Sequence, residues 1–258
     1  MEKQSIDILY IATGDYKVYW NDFYESSERL FLIDYSKKYF VFTDSVEFFQ
    51  KHSNVEIIKI RSFSWPEATL LRFQFFKDNF DYFTSEFQFF FNANFQFKNI
   101  VEGKDIIPLQ NEISALTWGY FLGKNLSDYS AMNFQSSSVN KRLDFKKKYY
   151  QGGLFGARKS SFKDLIDFCQ VNIQNDYLKN KIPQNNDEFY LNIYLNDKIV
   201  NEVNHLVGLP EEWNLKQTAK GIFRDKNLNI GFLNQIFRKF KTNGILLTIK
   251  IIIHKIIK

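Results

Sequence analysis

The chain has 258 residues, which suits one large α/β domain or one domain with an extension, and its 45% hydrophobic content is enough to fill a core. Its single cysteine, Cys169, excludes an internal disulfide, and no run of about 18 apolar residues is present to span a bilayer. The net charge is +5, and from Arg224 onward seven further Lys and Arg residues face one acid, Asp225, an asymmetry that points to an anionic partner such as a membrane surface or a phosphate group.

The opening run Ile6–Ala12 reads as a buried strand, too short and too polar for a secretory leader. Thr13-Gly14-Asp15 reads as the turn after it. Trp20–Leu32 carries Trp20, Phe23, Tyr24, Leu30 and Phe31 at helical spacing. Lys38–Thr43 reads as a second strand ending at Asp44, and Val55–Ile60 as a third. Thr69–Phe83 is a helix candidate, with Leu70, Phe73, Phe76 and Phe80 on one face. Phe87–Phe91 is a fourth, buried strand, and Asn92 and Asn94 follow it two residues apart. Strands alternating with helices predict a largely parallel sheet with covering helices. In such sheets ligands bind at the carboxyl ends of strands, where Thr13, Asp44 and Asn92 lie. Taken alone, Asn-x-Asn after an apolar run is more often a strand-ending turn than a site.

Further on, Ser127–Ser138 is polar and reads as a flexible loop. Ser161 followed by Asp164 resembles a helix start, with Phe162, Leu165, Ile166 and the core residue Cys169 on one face. Gly221–Gly231 reads as an exposed connector. In residues 245–258 Lys250, His254, Lys255 and Lys258 share one helical arc, and Ile245, Leu246, Ile249, Ile252, Ile253, Ile256 and Ile257 the opposite one. That pattern suits a basic amphipathic helix on an anionic membrane surface. A helix docked on the catalytic domain or in a dimer, or a strand, fits it too. Aromatic residues make up 18% of the chain, with 29 Phe and 14 Tyr, a surplus to which the sequence attaches no functional meaning.

Four segments, in order, carry a resemblance: Ile11-Ala12-Thr13-Gly14-Asp15-Tyr16, Tyr39-Phe40-Val41-Phe42-Thr43-Asp44-Ser45, Phe90-Phe91-Asn92-Ala93-Asn94, and Tyr149-Tyr150-Gln151-Gly152-Gly153-Leu154-Phe155-Gly156. Trp65 with Arg72, Asp187-Glu188 followed by Leu191-Asn192-Ile193-Tyr194, and Arg224-Asp225-Lys226-Asn227 add to it. Together they resemble the family 6 glycosyltransferases, the ABO blood-group type, and most closely the short bacterial members with Asn-Ala-Asn in place of Asp-x-Asp. The resemblance implies a Rossmann-like nucleotide-sugar glycosyltransferase fold of the A type. It implies a catalytic domain over 1–230 and leaves 231–258 as a basic amphipathic tail. The implied reaction moves N-acetylgalactosamine, less readily galactose, from its UDP donor to the 3-hydroxyl of a galactose-type acceptor in a surface glycan, such as a lipopolysaccharide, with retention of configuration.

The implied donor site comprises Ile11, Ala12, Thr13 and Tyr16 for uridine, and Arg72, Asn92, Asn94, Gln151, Gly152, Gly153, Asp187 and Lys226 for the diphosphate and sugar. Glu188 is the implied catalytic carboxylate. It acts either through a covalent glycosyl intermediate or by stabilising an oxocarbenium ion during same-face attack. An amide oxygen ligates a hard dication less well than a carboxylate, so the site is expected to work with no metal and no cofactor. The family's His-Pro and Trp-His, near the acceptor, are Thr117-Trp118 and Asn185-Asn186 here. Thr117, Trp118 and Trp213 are the candidate acceptor residues. These departures keep open a second reading, a catalytically silent nucleotide-sugar or glycan-binding protein. No nucleic-acid module is present, and the expected location is cytoplasmic, peripheral on the inner face of a membrane.

Overall fold

The computed structural model describes residues 3–63, 67–109, 112–118, 125–128, 137–139, 144, 146–183, 185–213 and 218–226. The tail 245–258 and Trp65 lie outside the described residues. By internal contacts the chain divides into Met1–Arg224 and Asp225–Lys258. Among the described residues no helix is long and apolar enough to cross a membrane.

The first unit is built on β1 (Ser5–Ile11), β2 (Ser36–Thr43), β3 (Val55–Lys59), β4 (Phe87–Asn92), β6 (Ile113–Thr117), β7 (Tyr150–Arg158) and β8 (Val200–Val203). They form a seven-stranded sheet in the order β3-β2-β1-β4-β7-β6-β8. Neighbours are parallel except across β7, which runs antiparallel to both β4 and β6. This is a mostly parallel α/β sheet of the A type. A smaller sheet joins β5 (Phe95–Phe97), β10 (Gly221–Phe223) and β9 (Leu209–Pro210). The helices are α1 (Trp20–Leu30), α2 (Glu67–Leu70), α3 (Arg72–Asp78), α4 (Gly103–Ile106), α5 (Lys159–Leu178) and α6 (Asn186–Leu195).

The aromatic surplus has a structural use. Side chains alternate along a strand, so a strand buried on both faces needs apolar residues at successive positions. Leu9, Phe40, Phe42, Phe90 and Phe155 point to one face and pack with α3, α5 and α6. Ile8, Tyr10, Tyr39, Val41, Phe89 and Phe91 point to the other and meet Trp20 and Phe23 of α1. Rings contact rings throughout, as in Tyr10 stacked on Phe23 at 4.6 Å and Phe40 edge-on to Phe83 at 4.8 Å. Cys169 is fully buried in the first cluster.

Three expectations change. The helix drawn over 69–83 breaks at Leu71 (ψ −5°) and ends at Asn79, whose Nδ2 donates to Phe75 O at 2.8 Å. Ring packing against β2 and β7 outweighs a continuous helical ladder there. Part of the connector drawn over 221–231 is a strand: Gly221 and Ile222 are buried in β10, where a Cβ on Gly221 would sit 2.3 Å from the Phe95 ring. Of the segment read as a flexible loop over 127–138, residues 129–136 lie outside the described residues, while at its end Ser137 is buried and both Ser137 and Ser138 donate to Asp176. Burial opposes ionisation of that carboxyl, but the serine and Tyr190 hydrogen bonds hold it below its ordinary value.

Gly156 tests the aromatic packing. It pairs with Phe89 across β4 and β7, and a Cβ there would sit 2.1 Å from the Phe89 ring and 2.7 Å from the Gln88 carbonyl. Gly156→Ala is expected to destabilise the fold by about 2–3 kcal/mol in urea titrations, the scale of overpacking a full core. Adding Phe89→Leu is expected to recover part of that loss.

Candidate active site

Successive strands lie to one side of β1 until β4, which pairs on its other side. The order reverses between β1 and β4, so a crevice opens at their carboxyl ends. Ile11 pairs with Asn92 across it. The turn after β1 is held by Gly14, whose φ of +56° favours glycine and whose N–H donates to both Asp44 carboxylate oxygens at 3.1 Å. Ala12 commits its N–H to Phe42 O at 2.9 Å, and Thr13 O accepts from Tyr16 N at 3.2 Å. Tyr16 is half-buried in the following 3-10 turn and packs on the α1 side of the core.

Because β7 runs antiparallel to β4, it brings its first residues, Tyr150 to Gly153, to the same edge as Asn92. The segment is the start of a strand, and the Gly152 backbone meets Arg72 through its carbonyl and Glu188 through its N–H. Gly153 N donates to its neighbour Gln151 Oε1 at 2.8 Å. A Cβ on Gly153 would lie 2.8 Å from Asn92 Nδ2 and from both ends of the Gln151 carboxamide.

Arg72, the first residue of α3, lies at the centre of these groups and is only 6% exposed. Nη1 donates to Gly152 O at 2.7 Å and pairs with Asp187 Oδ2 at 2.9 Å. Nη2 reaches Asn92 Oδ1 at 3.4 Å, and the guanidinium sits 4.1 Å from the Phe90 ring centroid. Its Nε is buried with no partner among the described residues. Burial pushes the Asp187 carboxyl above its ordinary value, while Arg72 pulls it back down, helped by Thr69.

Glu188 follows Asp187 in the first turn of α6, where the helix dipole favours carboxylates. The turn is entered through Asn186 at φ +48°, a left-handed conformation that asparagine tolerates. Gly152 N donates to Glu188 Oε2 at 2.6 Å, and the Tyr149 hydroxyl donates to Oε1. Burial raises the Glu188 carboxyl to about 7; Tyr149 and Gly152 act against it, Asp187 adds to it, and Arg72 lowers it. One turn further along, Asn192 locks the helix to β7. Its Oδ1 accepts from Tyr150 N, and its Nδ2 donates to Tyr150 O, both at 2.8 Å, and to Glu188 O at 2.9 Å.

The structure therefore gathers Arg72, Asn92, Gln151, Gly152, Gly153, Asp187 and Glu188 around the start of β7. Other expected residues are placed differently. Asn94 was expected to turn its amide toward a donor; instead its Nδ2 donates to Arg224 O at 2.6 Å, and Arg224 N returns a bond to Asn94 O at 2.8 Å. Thr117 pairs with Tyr150 but directs its hydroxyl to Val203 O at 2.9 Å, and Trp118 beside it is half-buried. Trp213 packs on the small cluster of Leu209, Ala219 and Ile222. Lys226 is exposed and belongs to the second unit. Sequence reasoning missed Tyr149 and Asn192 as site-building residues. The adjacent Tyr149-Tyr150 and the spacing of Asn192 one turn after Glu188 were the signals available.

A buried and a half-buried carboxylate, a buried guanidinium and two glycines meet at the carboxyl edge of the α/β sheet, a set of groups that can hydrogen-bond a polar substrate. The description Glycosyltransferase family 6 fits residues 1–211. The Escherichia coli protein named O-antigen biosynthesis glycosyltransferase WbnI is 37% identical over 236 residues, covering 86% of this chain and 94% of its own. With the site at the strand-order reversal and the sequence match running through every element that builds it, the chain belongs to glycosyltransferase family 6 and is a glycosyltransferase.

Proposed function

We propose that this glycosyltransferase transfers N-acetylgalactosamine, less readily galactose, from a UDP donor to the 3-hydroxyl of a galactose-type acceptor, with retention and without a divalent metal. The acceptor is a surface glycan of the lipopolysaccharide type, a reading supported by the O-antigen name of the relative. The observation that carries the proposal is Glu188, held between Gly152 N and Tyr149 next to the buried Arg72–Asp187 pair.

In this reading the Ile11–Thr13 turn and the Tyr16 ring receive uridine. Arg72 offers the unpartnered Nε–H to a donor oxygen, and Asp187 and the Gly152–Gly153 backbone hold the sugar. Glu188 faces the anomeric carbon, where positive charge develops. The neutral Asn92 supports the metal-free reading. A guanidinium within 3.4 Å of its oxygen repels a dication there, while adding a fixed positive charge for the leaving diphosphate.

The direct experiment is a screen of sugar nucleotides measuring released UDP with and without chelator. UDP-N-acetylgalactosamine is expected to turn over fastest, and chelator to leave its rate unchanged; a strict divalent requirement overturns the metal-free reading.

Donor choice is expected to respond to Gly153→Ala. The new methyl displaces the Gln151 carboxamide from Gly153 N and crowds the Asn92 amide. The kcat/KM ratio of the N-acetylgalactosamine donor to the galactose donor is expected to fall by about tenfold, about 1.4 kcal/mol of selective crowding.

Glu188 has to be ionised to meet a cationic transition state, and its raised carboxyl ionises as pH climbs through about 7. The kcat/KM profile is therefore expected to rise through about pH 7 and level off above pH 8. Glu188→Gln is expected to lower kcat by at least about 100-fold, the scale of losing one electrostatic stabiliser. Donor affinity by calorimetry is expected to change by less than about threefold. Near-normal turnover in that variant moves the role elsewhere, with Asp187 the next candidate.

A further inference from the structure

Asn185 and Asn186 stand where the family carries an acceptor-side pair, and on sequence they read as a loss. Asn185 is not idle. Its Nδ2 donates to the Tyr149 hydroxyl oxygen at 2.8 Å, and that hydroxyl donates to Glu188 Oε1. We propose that Asn185 is a positioning residue of the transfer reaction, which acts through Tyr149 to aim a hydrogen bond at the Glu188 carboxylate. The proposal rests on the reading of Glu188 as the carboxylate facing the reacting carbon.

The direction of the chain of bonds carries the argument. A phenol has one proton and an oxygen that accepts. An amide N–H can only donate, so Asn185 occupies the Tyr149 oxygen as an acceptor and turns its proton toward Glu188. The ionised carboxylate is a stronger acceptor of the Tyr149 proton than the neutral acid, so the arrangement favours the ionised form. Tyr149 is 3% exposed, so water offers it few alternatives. The geometry is braced from both sides. Asn185 immediately precedes α6, and Asn192 lies one turn after Glu188 within it. Asn185 holds the Tyr149 side chain, while Asn192 holds the Tyr150 backbone. Both clamps fix the strand end that delivers Gly152 N to the other carboxylate oxygen.

The charged and titratable groups facing Glu188 are Tyr149 before β7, Asp187 on α6 and Arg72 on α3. Asp187 and Arg72 act in opposite senses and bind each other at 2.9 Å. Of the groups around the carboxylate, Tyr149 is therefore the one whose effect Asn185 can change without disturbing the ion pair.

The test titrates the Glu188 side-chain carboxyl carbon by NMR in the full chain labelled at glutamate, the signal being assigned by its loss in Glu188→Gln. It needs neither donor nor acceptor. Wild type is expected to inflect near pH 7. Asn185→Asp keeps the side-chain shape but exchanges the N–H donor for an acceptor, which turns the Tyr149 proton away from Glu188. It is expected to move the inflection up by about one pH unit. Asn185→Leu, a second variant lacking any new charge, is expected to move it up by about half a unit. In a Tyr149→Phe background, where the inflection is already raised, Asn185→Leu is expected to add nothing.

A parallel pH profile of UDP release from UDP-N-acetylgalactosamine reads the same coupling. The rising limb of the Asn185 variants is expected to shift upward with the NMR inflection, with rates above pH 9 returning to within about threefold of wild type. A merely structural role predicts uniform loss at all pH values and an unmoved inflection, and that outcome overturns the proposal. A Tyr149→Phe shift that neither Asn185 variant reproduces overturns it as well. Normal turnover in Glu188→Gln instead identifies the reading of Glu188 as the part that fails, whatever the Asn185 variants do.

Discussion

A guanidinium buried beneath a sheet edge has to be met by acceptors, or the fold loses several kcal/mol. Arg72 is met from three directions at once: Asn92 at the end of β4, Gly152 O at the start of β7, and Asp187 at the start of α6. Phe90 closes it from below. Those partners determine how the elements meet. With Arg72 removed, Asp187 becomes a buried anion with no counter-charge, an arrangement worth about 3–5 kcal/mol of destabilisation in comparable pairs. The same constraint makes sense of a carboxamide at position 92. Arg72 already has one close carboxylate in Asp187, and Glu188 adds negative charge nearby. An amide oxygen accepts from Nη2 without placing a third anion beside the guanidinium.

Much of this was legible in the sequence, for a physical reason. Strands β1, β2 and β4 are buried on both faces, and unbroken apolar runs with a polar residue at the end mark such strands clearly. Their carboxyl ends place Thr13, Asp44 and Asn92 at one edge before any coordinate is consulted. The Asp187–Glu188 pair was legible through the family resemblance, not through any local pattern. What the sequence hid depends on partners distant along the chain. The glycines of Tyr150–Arg158 lie in a strand and mark close packing that only the folded chain reveals. Gly156 makes room for Phe89, and Gly153 for Gln151 and Asn92. Gly221 reads as a linker glycine but clears the Phe95 ring. The break at Leu71 was hidden for the opposite reason. Helical periodicity continues through it, while the structure turns there and starts a new helix on Arg72.

Unfavourable features collect at the first turn of α6. Asn186 takes a left-handed conformation, Asp187 is a buried acid, and Glu188 is a carboxyl raised to about 7. Each lowers the stability of the free protein, and local rules are most often broken at functional sites. The surroundings compensate with well-made hydrogen bonds: Asn192 clamps the helix to β7, and Gly152 N meets the carboxylate at 2.6 Å.

The departures from the family pattern follow from this wiring. Thr117 spends its hydroxyl on the Val203 carbonyl, one strand away, and so fastens β6 to β8. Asn185 spends its amide on Tyr149. Both side chains are turned into the scaffold that carries Tyr149, Tyr150 and Glu188. In this chain the two side chains brace β6, β8 and the strand end that meets Glu188. A protein that had drifted into silent binding would have no use for a precisely braced carboxylate. The inward wiring of Asn185, next to the intact Asp187–Glu188 pair, weighs on the side of catalysis.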